Sequence, residues 1–350
     1  MNRNAIVGCI LGTAVGDSLG LPYEGVSPQR AMRLLGPADR HRFFFRRGMI
    51  SDDTEHTCMV AQSLIEAGGD ARLFSRRLAA HLRWWILALP AGVGKATARA
   101  GFKLWLGAKP ENAGVFSAGN GPAMRAAIFG AAIDDLTLML DLVRASSKLT
   151  HSDPKAEFGA IAIALAAKHS RDHQSVDANV WLGQVVDTAG EAAAELVEWL
   201  RQAIDSVTTK ESTKAFAQRL GLDRGVSGYT YHTVPVAIHA WLSHPADYRR
   251  AVSAIIECGG DADTTAAIVG GIVGAAVGAE GIPKEWLSGI WDWPRSRLWM
   301  QNLGDTLADS LAGNAPTKAP VINPLAVIPR NLLFLAVVLF HGFRRLAPPY

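Results

Sequence analysis

Residues 265–278, TAAIVGGIVGAAVG, carry no charge and place Gly270, Gly274 and Gly278 four apart. On a helix that spacing strips one face of side chains, so a neighbouring backbone can lie unusually close. Tight helix packing is therefore the first constraint on the fold. Residues 158–168, FGAIAIALAAK, are apolar nearly all round, the mark of another central helix. Within 191–205, Leu196, Trp199, Leu200, Ala203 and Ile204 recur at spacings of three and four and predict one buried face. Strand-type alternation is almost absent. The expectation is an all-α chain. Loops are expected at 68–70, 109–113, 117–122 and 220–228, and an extended connector over 312–324, where Pro316, Pro320 and Pro324 fall.

Of the 350 residues, 49% are hydrophobic, which supports a large core and excludes general disorder. The length alone admits two domains. The helical pattern favours one, residues 1–311, with 312–350 as a connector and a last helix packed on it. A net charge of +3 is too weak to predict nucleic-acid binding, and no nucleic-acid partner is expected. Cys9, Cys58 and Cys258 form no CxxC pair and leave an odd count, against a disulfide framework or thiolate zinc site and for a reducing cytoplasm. Residues 5–15, after Arg3, read as a glycine-rich helix ending at Asp17 in preference to a signal-peptide core. Residues 332–340, LLFLAVVLF, fall well short of the roughly 20 apolar residues of a spanning helix. They predict a buried C-terminal helix and no integral membrane segment. A monomer is the default assembly.

Two glycine-rich segments imitate nucleotide-binding loops. In Gly92-Val93-Gly94-Lys95-Ala96-Thr97 the first glycine of a phosphate loop would fall at Leu89, and Ala96 replaces the required hydroxyl residue. Gly119-Asn120-Gly121-Pro122-Ala123-Met124 lacks the third glycine of the dinucleotide fingerprint and follows no strand. That turn still precedes a helix start, where free N–H groups can hold a phosphate.

The acidic clusters say more. Ser51-Asp52-Asp53-Thr54 and Asp261-Ala262-Asp263-Thr264 each stand before a helical run, and capping explains only part of either. Four aspartates brought together would repel one another unless divalent cations neutralised them. Oxygen donors without Cys or a close His pair favour Mg²⁺ or Mn²⁺, and two such ions would balance four carboxylates.

In combination these segments resemble the ADP-ribosylglycohydrolase family, which includes the dinitrogenase-reductase-activating glycohydrolases and the ADP-ribosyl-acceptor hydrolases. The matching motifs run in order: GCILGTAVGDSLGLPYE from Gly8 to Glu24, Ser51-Asp52-Asp53-Thr54, GNGPAMR from Gly119 to Arg125, Thr150-His151-Ser152-Asp153-Pro154, Ser227-Gly228-Tyr229, and GGDADTT from Gly259 to Thr265. The resemblance implies an all-α fold around a two-metal cleft that cleaves the glycosidic bond between ADP-ribose and a side chain. Ser51, Asp52 and Asp53 would bind one side of a pair of Mg²⁺ or Mn²⁺ ions, and Asp261, Asp263 and Thr264 the other. Glu24 matches a glutamate at the metals. Ser117, Gly119, Asn120, Gly121 and Met124 match a diphosphate loop, His151 a histidine beside ADP-ribose, and Tyr229 an aromatic near the ligand. Ser51 stands where many members have threonine and keeps the hydroxyl oxygen.

The implied partner is an ADP-ribosylated protein, with ADP-ribose as product. The catalytic acid and base are sought among Glu24, Asp52, Asp53 and Asp261. The favoured bond is ADP-ribosyl-arginine, in a regulatory or toxin-immunity setting. ADP-ribosyl-serine, O-acetyl-ADP-ribose, nucleobase adducts and a non-catalytic ADP-ribose-binding role are the alternatives. The basic aromatic stretch 40–47 is expected to line the cleft entrance, with a buried aromatic wall as the other reading.

Overall fold

The computed structural model describes residues 2–172, 175–313 and 318–346. The helix rich in small residues spans Ala262–Val277, and its partner is the N-terminal helix, Arg3–Gly20. Gly8, Gly12, Gly16 and Gly20 face Gly274, Gly270, Ala266 and Ala262 in turn, so the two helices run antiparallel at backbone contact. A Cβ on Gly12 would lie 2.2 Å from the carbonyl oxygen of Gly270, and one on Gly16 would lie 2.0 Å from that of Ala266. Side chains are excluded from this seam. The pairing brings Asp17 and the Glu24 turn, from the end of one helix, beside Asp261 and Asp263 at the start of the other.

The helix Pro154–Asp172 is buried along most of its length, and its backbone meets the short helix Ala127–Ala132, where Gly130 leaves no room for a Cβ against the carbonyl of Ala164. The helix Ala194–Thr208 buries Leu196, Leu200 and Ala203, while Trp199 and Ile204 are half-buried. One apolar core runs from Ala5 to Ala308. The described residues form no sheet, only isolated bridges, so the chain is all-α as its periodicity predicts.

Four expectations need correcting. Residues 109–113 are not simply a loop, because Pro110 opens a single helical turn, Pro110–Ala113. Within the proposed connector, residues 318–323 are non-helical and Pro324 already begins the C-terminal helix; Pro316 lies outside the described residues. That helix, Pro324–Arg344, is longer than the apolar run and is not buried. It and the N-terminal helix are the two long and apolar enough to cross a membrane among the described residues, but only the N-terminal one is enclosed by the protein.

The physical reason is Arg330. Its guanidinium pairs with buried Asp292, Nη2 to Oδ2 at 2.6 Å and Nε to Oδ1 at 3.0 Å, and so pins one polar-anchored stripe of the helix to the domain. Phe334 and Val337 on that stripe join Leu21, Phe43 and Met49 in a second, smaller cluster. Residues 40–47 form the back of this cluster and do not line the cleft. Phe43 packs on Phe334 and His341, and buried His41 bonds Ser18 and the carbonyl oxygen of Trp286.

Candidate active site

Both acidic clusters meet on one cavity, one at the start of the seam helix Ala262–Val277 and the other at the start of the helix Asp52–Ala67. Ser51 caps the helix Asp52–Ala67, its Oγ accepting from the Asp53 N–H at 3.3 Å and donating to Asp53 Oδ2 at 3.1 Å. The Thr264 hydroxyl reaches the same Oδ2 at 3.3 Å, so Asp53 joins the two helix starts. Asp261 Oδ2 accepts from Asn120 Nδ2 at 2.7 Å. Glu24, Ser51, Asp52, Asp261, Asp263 and Thr264 line a cavity of about 620 Å³, and Asp53 lies beneath them. That volume is in the range of small-molecule pockets.

Asp17 is the acid that sequence reasoning did not place in the site. Fully buried, it accepts from the Ser51 N–H at 2.8 Å, the Thr54 N–H at 3.2 Å and the Thr54 hydroxyl, and so holds the Ser51–Thr54 turn from below. Its signal was a lone acid closing an apolar helix with glycines four apart.

Burial holds all of these carboxyls above their usual range. For Asp52 the charge of Asp17 adds to it, for Asp53 that of Asp52, and for Asp263 that of Glu24. Burial also lifts Asp17, to about 6, with the Thr54 and Ser51 hydrogen bonds opposing. Glu24 is raised by the cleft walls and then by Asp261, and lowered by Arg345. One oxygen each of Asp17, Asp53 and Asp263 is buried without a hydrogen-bond partner. Buried acceptors with no donor and mutually repelling charges fit a divalent cation bound through oxygen. Among the described residues no three acidic, histidine or cysteine side chains close on a single point. An ion's shell here would therefore draw on the Ser51 and Thr264 hydroxyls and on water as well as carboxylates.

Ser117, Gly119, Asn120, Gly121, Met124 and His151 line the same cavity, with Asn120 touching Asp261. The loop is held by Asn120 N–H donating to the carbonyl oxygen of Gly228 at 2.9 Å. Its glycines make room for the histidine: a Cβ on Gly121 would sit 2.8 Å from His151 Cε1, and one on Gly119 3.1 Å from Nε2. Arg125, wholly buried, pairs with no carboxylate among the described residues. It donates to Ser146 Oγ and carbonyl oxygen, and to Thr150 Oγ1 at 2.7 Å, and meets His56 Nδ1 at 2.9 Å. Thr150 Oγ1 in turn meets His151 Nδ1 at 2.9 Å. Burial and the Arg125 charge push His151 down to about 3, so its ring is neutral.

Other residues lie where no motif pointed. Lys95 and Thr97, from the rejected glycine segment, line the cavity, and so do Phe334 and Val338 of the C-terminal helix. Arg345 donates to the carbonyl oxygens of Glu24 at 2.7 Å and Pro22 at 3.0 Å, which fixes the Glu24 turn. Tyr229 is the one predicted residue whose side chain turns elsewhere: its hydroxyl accepts from Lys155 Nζ at 3.0 Å and its ring packs on Tyr231 and His232. Ser227 and Gly228 form the cavity wall there.

The chain is similar to known proteins in sequence and in fold. Residues 2–318 match the ADP-ribosylglycohydrolase family. An uncharacterised protein of Archaeoglobus fulgidus is 31% identical over 294 residues, 81% of this chain and 90% of that one. The ADP-ribosyl-[dinitrogen reductase] glycohydrolase of Rhodospirillum rubrum is 26% identical, covering 81% and 88%. The ADP-ribosylhydrolase ARH3 of Xenopus tropicalis is also 26% identical, covering 80% and 89%. A solved ADP-ribosylglycohydrolase-related protein complex superposes with a TM-score of 0.59 at 25% identity, covering 88% of this chain and 98% of that chain. With its motifs in family order and the match running over nearly its whole length, the chain belongs to the ADP-ribosylglycohydrolase family of enzymes.

Proposed function

We propose that this protein is a divalent-metal-dependent hydrolase that removes ADP-ribose from arginine side chains of modified proteins. The observation that carries the reading is the meeting of both acidic clusters and the Gly119–Gly121 loop on one cavity. The carboxylates of Asp52, Asp53, Asp261 and Asp263, with the hydroxyls of Ser51 and Thr264, would hold two Mg²⁺ or Mn²⁺ ions. When bound, such ions supply charge neutralisation, a grip on sugar hydroxyls and activation of water.

The chain's own groups divide the remaining work. The Gly119–Gly121 backbone gives a close approach to a diphosphate, and buried Arg125 sets a positive charge behind it. Neutral His151 offers a ring N–H to the ligand without adding charge. Glu24, raised above its usual range at the cavity edge, is suited to hold a proton on its carboxyl and deliver it to the departing acceptor. Its anionic form would also attract a guanidinium, which supports arginine as the acceptor.

The test is a panel of proteins ADP-ribosylated on arginine or on serine, with free O-acetyl-ADP-ribose alongside, assayed for ADP-ribose release with Mg²⁺ or Mn²⁺ and with chelator. Metal-dependent release from the arginine conjugate is expected. Release confined to the serine conjugate or to O-acetyl-ADP-ribose would reassign the acceptor, and binding of ADP-ribose with no release from any substrate would leave only a binding role.

A further inference from the structure

The C-terminal helix Pro324–Arg344 turns a broad apolar face to solvent. Leu325 is 81% exposed, and Ile328, Leu332, Leu335, Leu339 and Phe343 follow it along that face. At 100° per residue, with Ala336 and Phe340 included, the exposed arc spans roughly 140°. It carries no charged side chain, since Arg330 points inward to Asp292. The apolar surface continues onto the neighbouring helices Ala71–Leu87 and Lys95–Trp105. Asn331 Nδ2 donates to the carbonyl oxygen of Ala88 at 2.8 Å, which places exposed Leu87 and Leu89 beside the C-terminal helix. Trp84 is 70% exposed and meets Trp105 edge to face, with exposed Phe102 on the same helix as Trp105.

Charge follows the same segments. Residues 71–110 contain eight Lys and Arg and no Asp or Glu, and residues 318–350 contain four and none, although Arg330 is turned inward to Asp292 and Arg345 to the Glu24 turn. The rest of the chain holds nine more acidic than basic residues, so these two segments account for the positive net charge. Lys95, Arg99, Lys103 and Lys109 are exposed around the aromatic patch. Across the C-terminal helix, beyond Phe43, the hairpin tip carries Phe45 and Arg46, both at positive φ and exposed.

We propose that this face docks in the plane of an anionic membrane surface, with the apolar arc at the level of the headgroups and the cations against the lipid charge. A second copy of the chain is a poorer occupant, because it would bring two cationic faces together, and the arc is far wider than a coiled-coil seam. The docking face also sets the orientation of the active site. Lys95, Phe334 and Val338 line the cavity from these same elements, so its mouth would open beside the bilayer.

The full chain should be floated with vesicles of phosphatidylcholine and of phosphatidylcholine with phosphatidylglycerol. Binding only to the anionic vesicles, reversed by high salt, is expected. Leu332→Ser with Leu339→Ser, and separately Arg99→Gln with Lys109→Gln, should each weaken binding by at least about tenfold, with circular dichroism and melting unchanged. These side chains are exposed and lie outside the cavity. No binding to anionic vesicles, or equal binding by wild type and both variants, would overturn the proposal. So would a stable dimer by light scattering that the leucine variant dissolves.

Discussion

Asp17→Asn should make the metal-free protein more stable while weakening the site it supports. Asn keeps an oxygen that accepts from Ser51 and Thr54, and places an amide where one carboxylate oxygen is buried without a partner. Burial raises the Asp17 carboxyl from 3.8 to about 6, so the folded protein keeps this proton to a higher pH than the unfolded chain does. Stability is then lost as pH rises from about 4 to about 6, and at pH 7 the charged form costs about 3 kcal/mol against a neutral group of the same shape. At about 2.1 cal/mol/K per residue of unfolding entropy, that is roughly 4 °C in Tm for a chain of this length. Thermal melts in chelator should place the variant about 4 °C above wild type at pH 7, with about half that gap at pH 5. Buried histidines titrate in both proteins and cancel in the difference. With Mg²⁺ or Mn²⁺ the order should reverse, because the wild type gains more from the ions. A variant that melts at or below wild type in chelator at pH 7, or a gap that does not shrink at pH 5, would refute the reasoning.

Gly12→Ala should destabilise by at least 1–3 kcal/mol, since its Cβ would lie 2.2 Å from the Gly270 carbonyl oxygen. Gly183→Ala, within a helix and facing open space, should instead gain about 0.5–1 kcal/mol, and denaturant melts of the pair check both signs. Glu24→Gln should lower kcat at least about tenfold with little change in metal affinity by calorimetry; an unchanged kcat would return Glu24 to a structural role. Arg330→Met strands buried Asp292 and should cost about 3–5 kcal/mol, read as early proteolytic release of the C-terminal helix.

How far the sequence could be read varies from place to place. The small-residue helix announced that a backbone must come close, and its partner was written in the same code, as glycines at 8, 12, 16 and 20. The repeat becomes meaningful once the two are seen to run antiparallel. The two acidic helix starts and the glycine-rich loop could be picked out because helix caps and tight turns confine their signal to a few adjacent residues. Tyr229 turned to Lys155 because side-chain direction depends on neighbours from another helix. The roles of Asp17 and Arg125 were hidden for the same reason, as each acts through partners far along the chain. The C-terminal helix was misread as core because apolar composition alone does not distinguish a helix enclosed by protein from one pinned by a single buried arginine.

The central claim is that one metal-dependent site, built from both acidic clusters, hydrolyses the ADP-ribosyl bond. It is tested most directly by ADP-ribose release from an arginine-modified protein by wild type and Asp261→Ala, each with Mg²⁺ or Mn²⁺ and with chelator. Release by wild type only with metal, and none by the variant under any condition, is the expected result. Release that persists in chelator or in Asp261→Ala would contradict it.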